Sequence, residues 1–83
     1  KIEKQSKFNF SLPHRKVRSL LFDGMSMWIG TDAGLCVMKD GKLTIMTTLD
    51  GLTDNKVLCM YKGKGEEIYI GTNSGLNVLL DGE

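Results

Sequence analysis

The sequence predicts an all-β fold made of two copies of an antiparallel four-stranded unit. Three observations support this prediction: an internal repeat of about 40 residues, short apolar runs bounded by turn residues, and hairpin signals between the runs. The clearest evidence is the stretch Trp28–Leu35, which returns as Tyr69–Leu76, 41 residues later. Repeats of this length are typical of architectures in which one small unit stacks on the next.

The repeat continues on both sides of this stretch. The second copy carries one more residue than the first in the glycine-rich segment 63–67, and a surface turn accommodates such an insertion. The offset therefore changes from 40 to 41 along the repeat. The flanking matches are Leu12 with Leu52, Lys16 with Lys56, Val17 with Val57, Val37 with Val78, Asp40 with Asp81 and Gly41 with Gly82.

Four apolar runs in the first copy predict four strands. Asp23-Gly24 closes the first run, and Asp40-Gly41, between the third and fourth, is a strong signal for a two-residue hairpin. Short connections of this kind join neighbouring antiparallel strands and predict a meander. The runs are Val17–Phe22, Met27–Gly30, Leu35–Met38 and Leu43–Leu49.

A helix over residues 13–22 is the alternative for the first run, because Pro13 would suit the first position of a helix. The equivalent segment of the second copy, Asn55–Tyr61, has no proline and is closed by Gly63 and Gly65. Since both copies should fold alike, a strand is the favoured interpretation.

The repeated stretch is interpreted as serving core packing and turn formation, with no chemical role. A glycine inside a strand indicates close approach of a neighbour or a bulge, and the later glycine suits the left-handed position that ends a turn. The aromatic residue would fill the space between sheets, with its polar edge free to reach a partner. The predicted structural residues are Trp28, Gly30 and Gly34 in the first copy and Tyr69, Gly71 and Gly75 in the second.

Composition argues against several classes of function. The 83 residues carry a net charge of +1, so no extended field would attract nucleic acid or an anionic membrane. No apolar run approaches the roughly 18 residues that a membrane span requires. The chain begins with Lys rather than Met, and we expect it to be a piece of a longer protein.

Few residues suit catalysis or metal binding. His14 is the only histidine, and Cys36 and Cys59 lack the spacing of a zinc site or a redox pair. The aspartates fall at turns, where Asp bonds its own backbone. We therefore expect no catalytic residue, no metal, no cofactor and no disulfide in this chain.

The residue pattern resembles the two-component regulator propeller repeat. The second copy matches at Val57 and Tyr69–Leu76, and it departs at Lys62, where the family often has Asp, and at Tyr69, where it has Trp. The first copy matches at Leu12-Pro13, Val17, Leu20, Asp23, Trp28–Thr31, Gly34-Leu35, Gly41 and Gly51-Leu52.

The resemblance implies two blades of a β-propeller, each a four-stranded antiparallel sheet. It further implies a non-catalytic, ligand-sensing module in the periplasmic part of a hybrid two-component histidine kinase. The expected ligand of this module is a carbohydrate. A structural or protein-interaction platform and a propeller lyase are the alternatives. The expected organisation is an outer strand at 1–11, a complete blade at 12–49 and the first three strands of the next blade at 50–83.

Propeller topology also suggests where a small-molecule or oligosaccharide ligand would bind. Loops that enter the innermost strands emerge on the same face as the turns between second and third strands. We expect His14, Arg15, Asp54 and Asn55 to line that face. Ordinary solvated loops are the alternative interpretation of the same residues.

The chain is expected to self-associate. Residues 3–10 align with Leu43–Asp50, so they correspond to the fourth strand of a unit. A neighbouring copy, or another blade, would then complete the second unit. Removal of residues 1–10 should abolish association and folding.

Overall fold

The computed structural model describes residues 16–80, and these residues form two antiparallel sheets joined by a short linker. The all-β prediction is confirmed. The expected outer strand at 1–11, together with His14 and Arg15, lies outside the described residues. The first sheet has the strand order β1 (Val17–Phe22), β2 (Ser26–Thr31), β3 (Gly34–Lys39) and β4 (Lys42–Met46), and the second has β5 (Val57–Lys62), β6 (Ile68–Thr72) and β7 (Gly75–Leu79).

The first apolar run is a strand, so the helical alternative is wrong. β1 pairs with β2 along its length, from Val17 opposite Thr31 to Phe22 opposite Met27. The hairpin between β3 and β4 turns at Asp40 and Gly41, whose φ angles are 52° and 77°. Positive φ at both central residues gives the turn a twist that matches the flanking strands.

The fourth apolar run ends earlier than the sequence predicts. The expected strand covered Leu43–Leu49, but β4 stops at Met46 and a 3-10 helix occupies Thr48–Asp50. The Thr47 hydroxyl accepts from the Leu49 N–H at 3.2 Å, and the Thr47 N–H donates to the Asp50 carboxylate at 3.0 Å. Short polar side chains offer the backbone these local bonds in place of a strand ladder.

The hydrophobic core lies between the two sheets. β5 packs across β1 and β2, so the faces of the sheets that point toward each other exclude water. Along each strand the side chains alternate between this inner face and an outward face. The core consists of Trp28 and Leu35 from the first sheet, Leu52 from the linker, and Val57, Ile68 and Ile70 from the second sheet.

Gly30 lies where Val57 of the second sheet contacts the first sheet. A β-bulge in β1 places Ser19 opposite Gly30. A Cβ atom on Gly30 would lie 2.6 Å from Val57 Cγ1 and would also collide with the Ser19 hydroxyl. The second copy repeats the bulge with Cys59 opposite Gly71, but on its outward face. The glycine therefore admits a neighbouring sheet only in the first copy of the described chain.

The two repeated aromatic residues occupy different environments. Trp28 is 2% exposed in the core, and its indole Nε1 donates to the Asp23 carboxylate at 3.0 Å. Tyr69 is half-buried on the outward face of the second sheet, with its hydroxyl 3.5 Å from Glu67 Oε2. Within residues 16–80, Tyr69 does not fill the space between sheets, because no third sheet covers it.

Truncation of the buried indole should destabilise the fold. We expect Trp28→Ala to lower the free energy of unfolding by about 3–5 kcal/mol, the usual range for a large aromatic removed from a core. Chemical denaturation followed by circular dichroism measures this loss. Leu49→Ala is the matched control, because Leu49 is 95% exposed and should change stability little. An unchanged midpoint for Trp28→Ala would place the indole outside the core.

The two strand glycines should respond differently to the same substitution. We expect Gly30→Ala to cost about 1–3 kcal/mol, because the added methyl group overpacks the contacts with Ser19 and Val57. Gly71→Ala should cost less, since its Cβ would meet Cys59 Sγ, an exposed side chain that can move. Parallel urea titrations compare the two variants. Equal losses would mean that strand propensity, not intersheet contact, sets the requirement for glycine.

Candidate functional site

The antiparallel order creates a loop end of the molecule. We use this name for the end where β1 and β5 begin and where the β2–β3 and β6–β7 turns lie. Its segments are Lys16, the turn at residues 32–33, the linker at residues 53–56 and the turn at residues 73–74. The opposite end, which holds the β1–β2, β3–β4 and β5–β6 connections, is called the turn end.

Asp54 and Asn55 both lie at the loop end. Asp54 Oδ2 accepts from the Ser74 hydroxyl at 2.5 Å, and its Oδ1 accepts from the Lys56 N–H at 2.9 Å. The Asn73 N–H donates to the Lys56 carbonyl at 3.1 Å. The linker before β5 is therefore held against the turn between β6 and β7. The other two predicted ligand residues, His14 and Arg15, are not among the described residues.

The Asp54 carboxylate is kept ionised. The hydrogen bond from Ser74, followed by the one from the Lys56 N–H, lowers the pKa of Asp54 below its ordinary value. Asn55 Oδ1 accepts from the Thr48 N–H at 2.8 Å and ties the linker to the 3-10 helix. Both side chains thus have structural partners, and both are only half-buried. A fixed anion beside an amide can bind a ligand rich in hydroxyl groups.

An ion pair occupies the same end of the first sheet. Arg18 Nε lies 2.5 Å from Asp32 Oδ1, and Arg18 Nη2 donates to Asp32 Oδ2 at 3.1 Å. This two-bond geometry fixes both planar groups, and Asp32 raises the pKa of Arg18. Sequence analysis did not identify the pair. The predicted β1–β2 hairpin could have indicated this pair, because its register places the start of β1 beside the end of β2.

Asn77 is a second residue that sequence analysis missed. Its Oδ1 accepts from the Thr53 N–H at 2.8 Å, and its Nδ2 donates to the Gly51 carbonyl at 3.0 Å. The Thr53 hydroxyl also lies 2.6 Å from the Thr72 hydroxyl. These bonds attach the linker to β6 and β7, so the position of Asp54 depends on the second sheet. The repeat alignment did not suggest this role, because the first copy has Cys36 at the equivalent position.

Two depressions lie outside the loop-end segments. One, of about 320 Å³, opens between the sheets at the turn end. The other, of about 410 Å³, is a groove along β3 and β4. Neither was predicted from the sequence. The first is lined by Asp23, Met25, Ser26, Trp28, Val37, Lys39, Lys62, Glu66 and Ile68, and the second by Val37, Lys39, Asp40, Lys42, Thr44 and Met46.

Asp23 organises the turn end. Its Oδ1 accepts from the Met25 N–H at 2.8 Å and the Ser26 N–H at 2.7 Å, while its Oδ2 accepts from the Trp28 indole. Burial acts to raise the pKa of Asp23, but these hydrogen bonds and the charge of Lys62 outweigh burial and lower it. These bonds hold the β1–β2 turn and the Trp28 indole in place.

The cysteines do not pair. Cys36 is buried on the outward face of the first sheet, where burial raises the pKa of its thiol, and Cys59 is exposed on the outward face of the second. Across residues 16–80, no cluster of three His, Cys, Asp or Glu side chains could hold a metal ion. The same residues contain no helix long and apolar enough to cross a membrane.

No protein-family model, curated protein or solved structure matches this chain.

Acid should destabilise the fold through Asp23. Folding lowers the pKa of Asp23. The ionised carboxylate therefore stabilises the folded state at pH values above its ordinary pKa of 3.8, and this stabilisation is lost as the pH falls below 3.8. We expect Asp23→Asn to cost about 1–3 kcal/mol at neutral pH, the scale of lost hydrogen bonds to a charged group. The variant should also show a shallower loss of stability on acidification.

Asp40→Asn is the control for this experiment, because Asp40 is exposed in a left-handed turn position that Asn tolerates. Urea titrations at pH 7 and pH 3 compare both variants with the unaltered chain. If Asp23→Asn and Asp40→Asn behave alike at both pH values, Asp23 does not organise the turn end.

Proposed function

We propose that this chain is part of a ligand-sensing β-propeller in the periplasmic portion of a two-component receptor, and that its ligand is an oligosaccharide. The observation that carries the proposal is the in-phase repeat, Trp28–Leu35 followed by Tyr69–Leu76, in two consecutive meander sheets that pack face to face. This residue pattern resembles the two-component regulator propeller repeat. Sensing is non-catalytic, and any kinase reaction belongs to another part of the parent protein.

The packing of the sheets supports a blade arrangement. Blades of a propeller radiate from a central axis, so the first strands of neighbouring blades lie closest to each other. Here β5, the first strand of the second sheet, packs against β1 and β2 of the first. The strand order within each sheet follows the chain order, as expected when each blade is built from the axis outward.

The chemistry of the loop end supports a polar, uncharged ligand. The loop end carries hydrogen-bonding groups and charges of both signs. They belong to the Asp54 carboxylate, the Asn55 amide and the Arg18–Asp32 pair. Hydroxyl groups of a sugar both donate and accept, so they suit such a mixed surface. The net charge of +1 gives no comparable reason to favour a polyanion.

A protein-interaction platform is the second candidate. The observation that favours it is the outward face of the second sheet, where Tyr61, Leu76 and Val78 are exposed. A contiguous apolar face of this kind is typical of surfaces that contact another protein. This candidate requires no small ligand at the loop end.

Substitution at the loop end separates the two candidates. We expect Asp54→Ala and Asn55→Ala, and likewise His14→Ala and Arg15→Ala, each to weaken oligosaccharide binding about tenfold, which corresponds to roughly 1.4 kcal/mol. Binding is measured by calorimetry and signalling by a reporter in the parent receptor. Asp40→Asn and Lys64→Ala are controls at the turn end, since Asn tolerates the left-handed backbone of position 40.

Denaturation of each variant shows whether a weakened response reflects lost binding or lost folding. The proposal fails if the turn-end substitutions abolish the response while the loop-end substitutions leave it intact. A reading frame that continues into a membrane span and a kinase core would favour sensing over a platform.

A further inference from the structure

The cavity of about 320 Å³ that opens between the two sheets at the turn end is called the intersheet cavity. One wall comes from β2, β3 and the β1–β2 turn, and the other comes from β5, β6 and the connection between them. The contact between the sheets therefore creates the cavity. Ligand sites in proteins are clefts of about 300–1,000 Å³, so the intersheet cavity suits a small molecule.

The floor of the intersheet cavity is apolar. Trp28 and Ile68 are core residues that are 2% and 1% exposed, and Val37 packs against the same core. The register of the first sheet places Trp28 beside Val37, and Ile68 meets them from the second sheet. A ligand that carries a short apolar group would bury that group on this floor, and such burial is favourable.

Two lysines reach the intersheet cavity from facing sheets. Lys39 follows Val37 by two positions on β3, and Lys62 follows Met60 by two positions on β5. Val37 and Met60 both pack against the core, so both lysines lie on inner faces. The Lys62 ammonium donates to the Gly65 carbonyl at 3.0 Å, which holds it at the cavity. An ammonium group has three N–H donors, so Lys62 keeps donors for a ligand.

The two lysines are specific to this interface and are not part of the repeat. The first copy has Phe22 at the position equivalent to Lys62, and the second copy has Leu80 at the position equivalent to Lys39. An apolar residue therefore suits each of these positions in the repeated unit. The requirement for two cations at one cavity comes from something other than packing.

Glu66 supplies an anion to the intersheet cavity. It lies in the segment 63–67, which carries the extra residue of the second copy. The Gly63 N–H donates to the Glu67 carbonyl at 2.9 Å, and the Gly65 N–H donates to Glu67 Oε1 at 3.1 Å. These bonds close the connection on itself and set Glu66 at the cavity. Within residues 16–80, Glu66 forms no ion pair, so its carboxylate can accept a cation.

The other carboxylate of the intersheet cavity is Asp23, which already accepts from two backbone N–H groups and the Trp28 indole. Asp23 therefore contributes charge to the cavity more than hydrogen-bonding capacity. Two lysines and two carboxylates give the lining no net charge but groups of both signs. A ligand with one charge of each sign matches such a lining better than a ligand with a single charge.

We propose that the intersheet cavity binds a free α-amino acid with an apolar side chain. The ligand carboxylate binds between Lys39 and Lys62, and the ligand ammonium pairs with Glu66. The ligand side chain lies on the apolar floor, against Trp28. This site is at the opposite end of the molecule from the proposed oligosaccharide site. It does not rest on that function, and a failed sugar screen leaves it unaffected.

Fluorescence titration of the full chain with L-leucine tests the proposal. Trp28 is the only tryptophan of the chain and lines the intersheet cavity, so its emission reports occupancy. We expect a saturable change in emission and a matching heat of binding in calorimetry. Two analogues of leucine test the need for both charges: 4-methylpentanoate lacks the ammonium group, and 3-methylbutylamine lacks the carboxylate. Each should bind about tenfold more weakly, the scale of one hydrogen bond between charged groups.

Substitutions assign the two charges of the ligand. We expect Lys39→Met and Glu66→Gln each to weaken L-leucine binding about tenfold. Lys39→Met should also reduce the preference for L-leucine over 3-methylbutylamine, and Glu66→Gln the preference over 4-methylpentanoate. Lys42→Met and Lys64→Met are the controls, because each removes a nearby cation that does not line the intersheet cavity. Circular dichroism confirms that each variant is folded.

Three outcomes would overturn the proposal. The first is an unchanged emission and no heat of binding with L-leucine at millimolar concentrations. The second is equal binding of L-leucine and 4-methylpentanoate, which would make the intersheet cavity a site for simple anions. The third is unaltered leucine binding in folded Lys39→Met and Glu66→Gln, which would place the ligand elsewhere on the molecule.

Discussion

The face-to-face contact between the two sheets is the constraint on which the rest of the structure depends. It requires a glycine at position 30, because Val57 occupies the space that a side chain would take. It also requires a large apolar group beside that glycine, and Trp28 fills this role with its indole nitrogen bonded to Asp23. Each sheet alone would expose one apolar face to water. Packing the two together removes those faces from water, and burial of this kind is the main favourable term in folding.

Short polar side chains position the loops around this core. Asp23, Asp54, Asn55 and Asn77 each bond backbone N–H or C=O groups that the sheets leave unpaired. A backbone group buried without a partner costs about as much as a lost hydrogen bond. The side chains that suit a ligand are thus the same types that stabilise the turns. At the loop end the two roles are compatible, since Asp54 remains ionised at the surface while it holds the linker in place.

The two copies of the repeat have similar residues but unequal surroundings. Leu35 is buried and Leu76 is exposed, although both follow the second glycine of the same motif. The difference arises because, among residues 16–80, the first sheet has a neighbour on its inner face, whereas the second sheet has none on its outward face. Repeat proteins gain stability from each interface between neighbouring units, so a unit without a neighbour forgoes that contribution. This asymmetry is the physical reason to expect further sheets, from the parent protein or from another copy, against Leu76 and Val78.

Local sequence determined the elements of this protein, and only the tertiary structure decided which of their faces are covered. Asp40-Gly41 predicts its hairpin because positive φ at two adjacent residues is a local requirement. Topology likewise placed Asp54 and Asn55 at the loop end, because the chain enters each first strand there. The Arg18–Asp32 pair was within reach of the predicted β1–β2 hairpin, but the groove along β3 and β4 was not predictable, since it depends on how far the second sheet covers the first. Tyr69 shares its motif with Trp28 but not its burial, because burial depends on a neighbouring sheet that the motif does not encode.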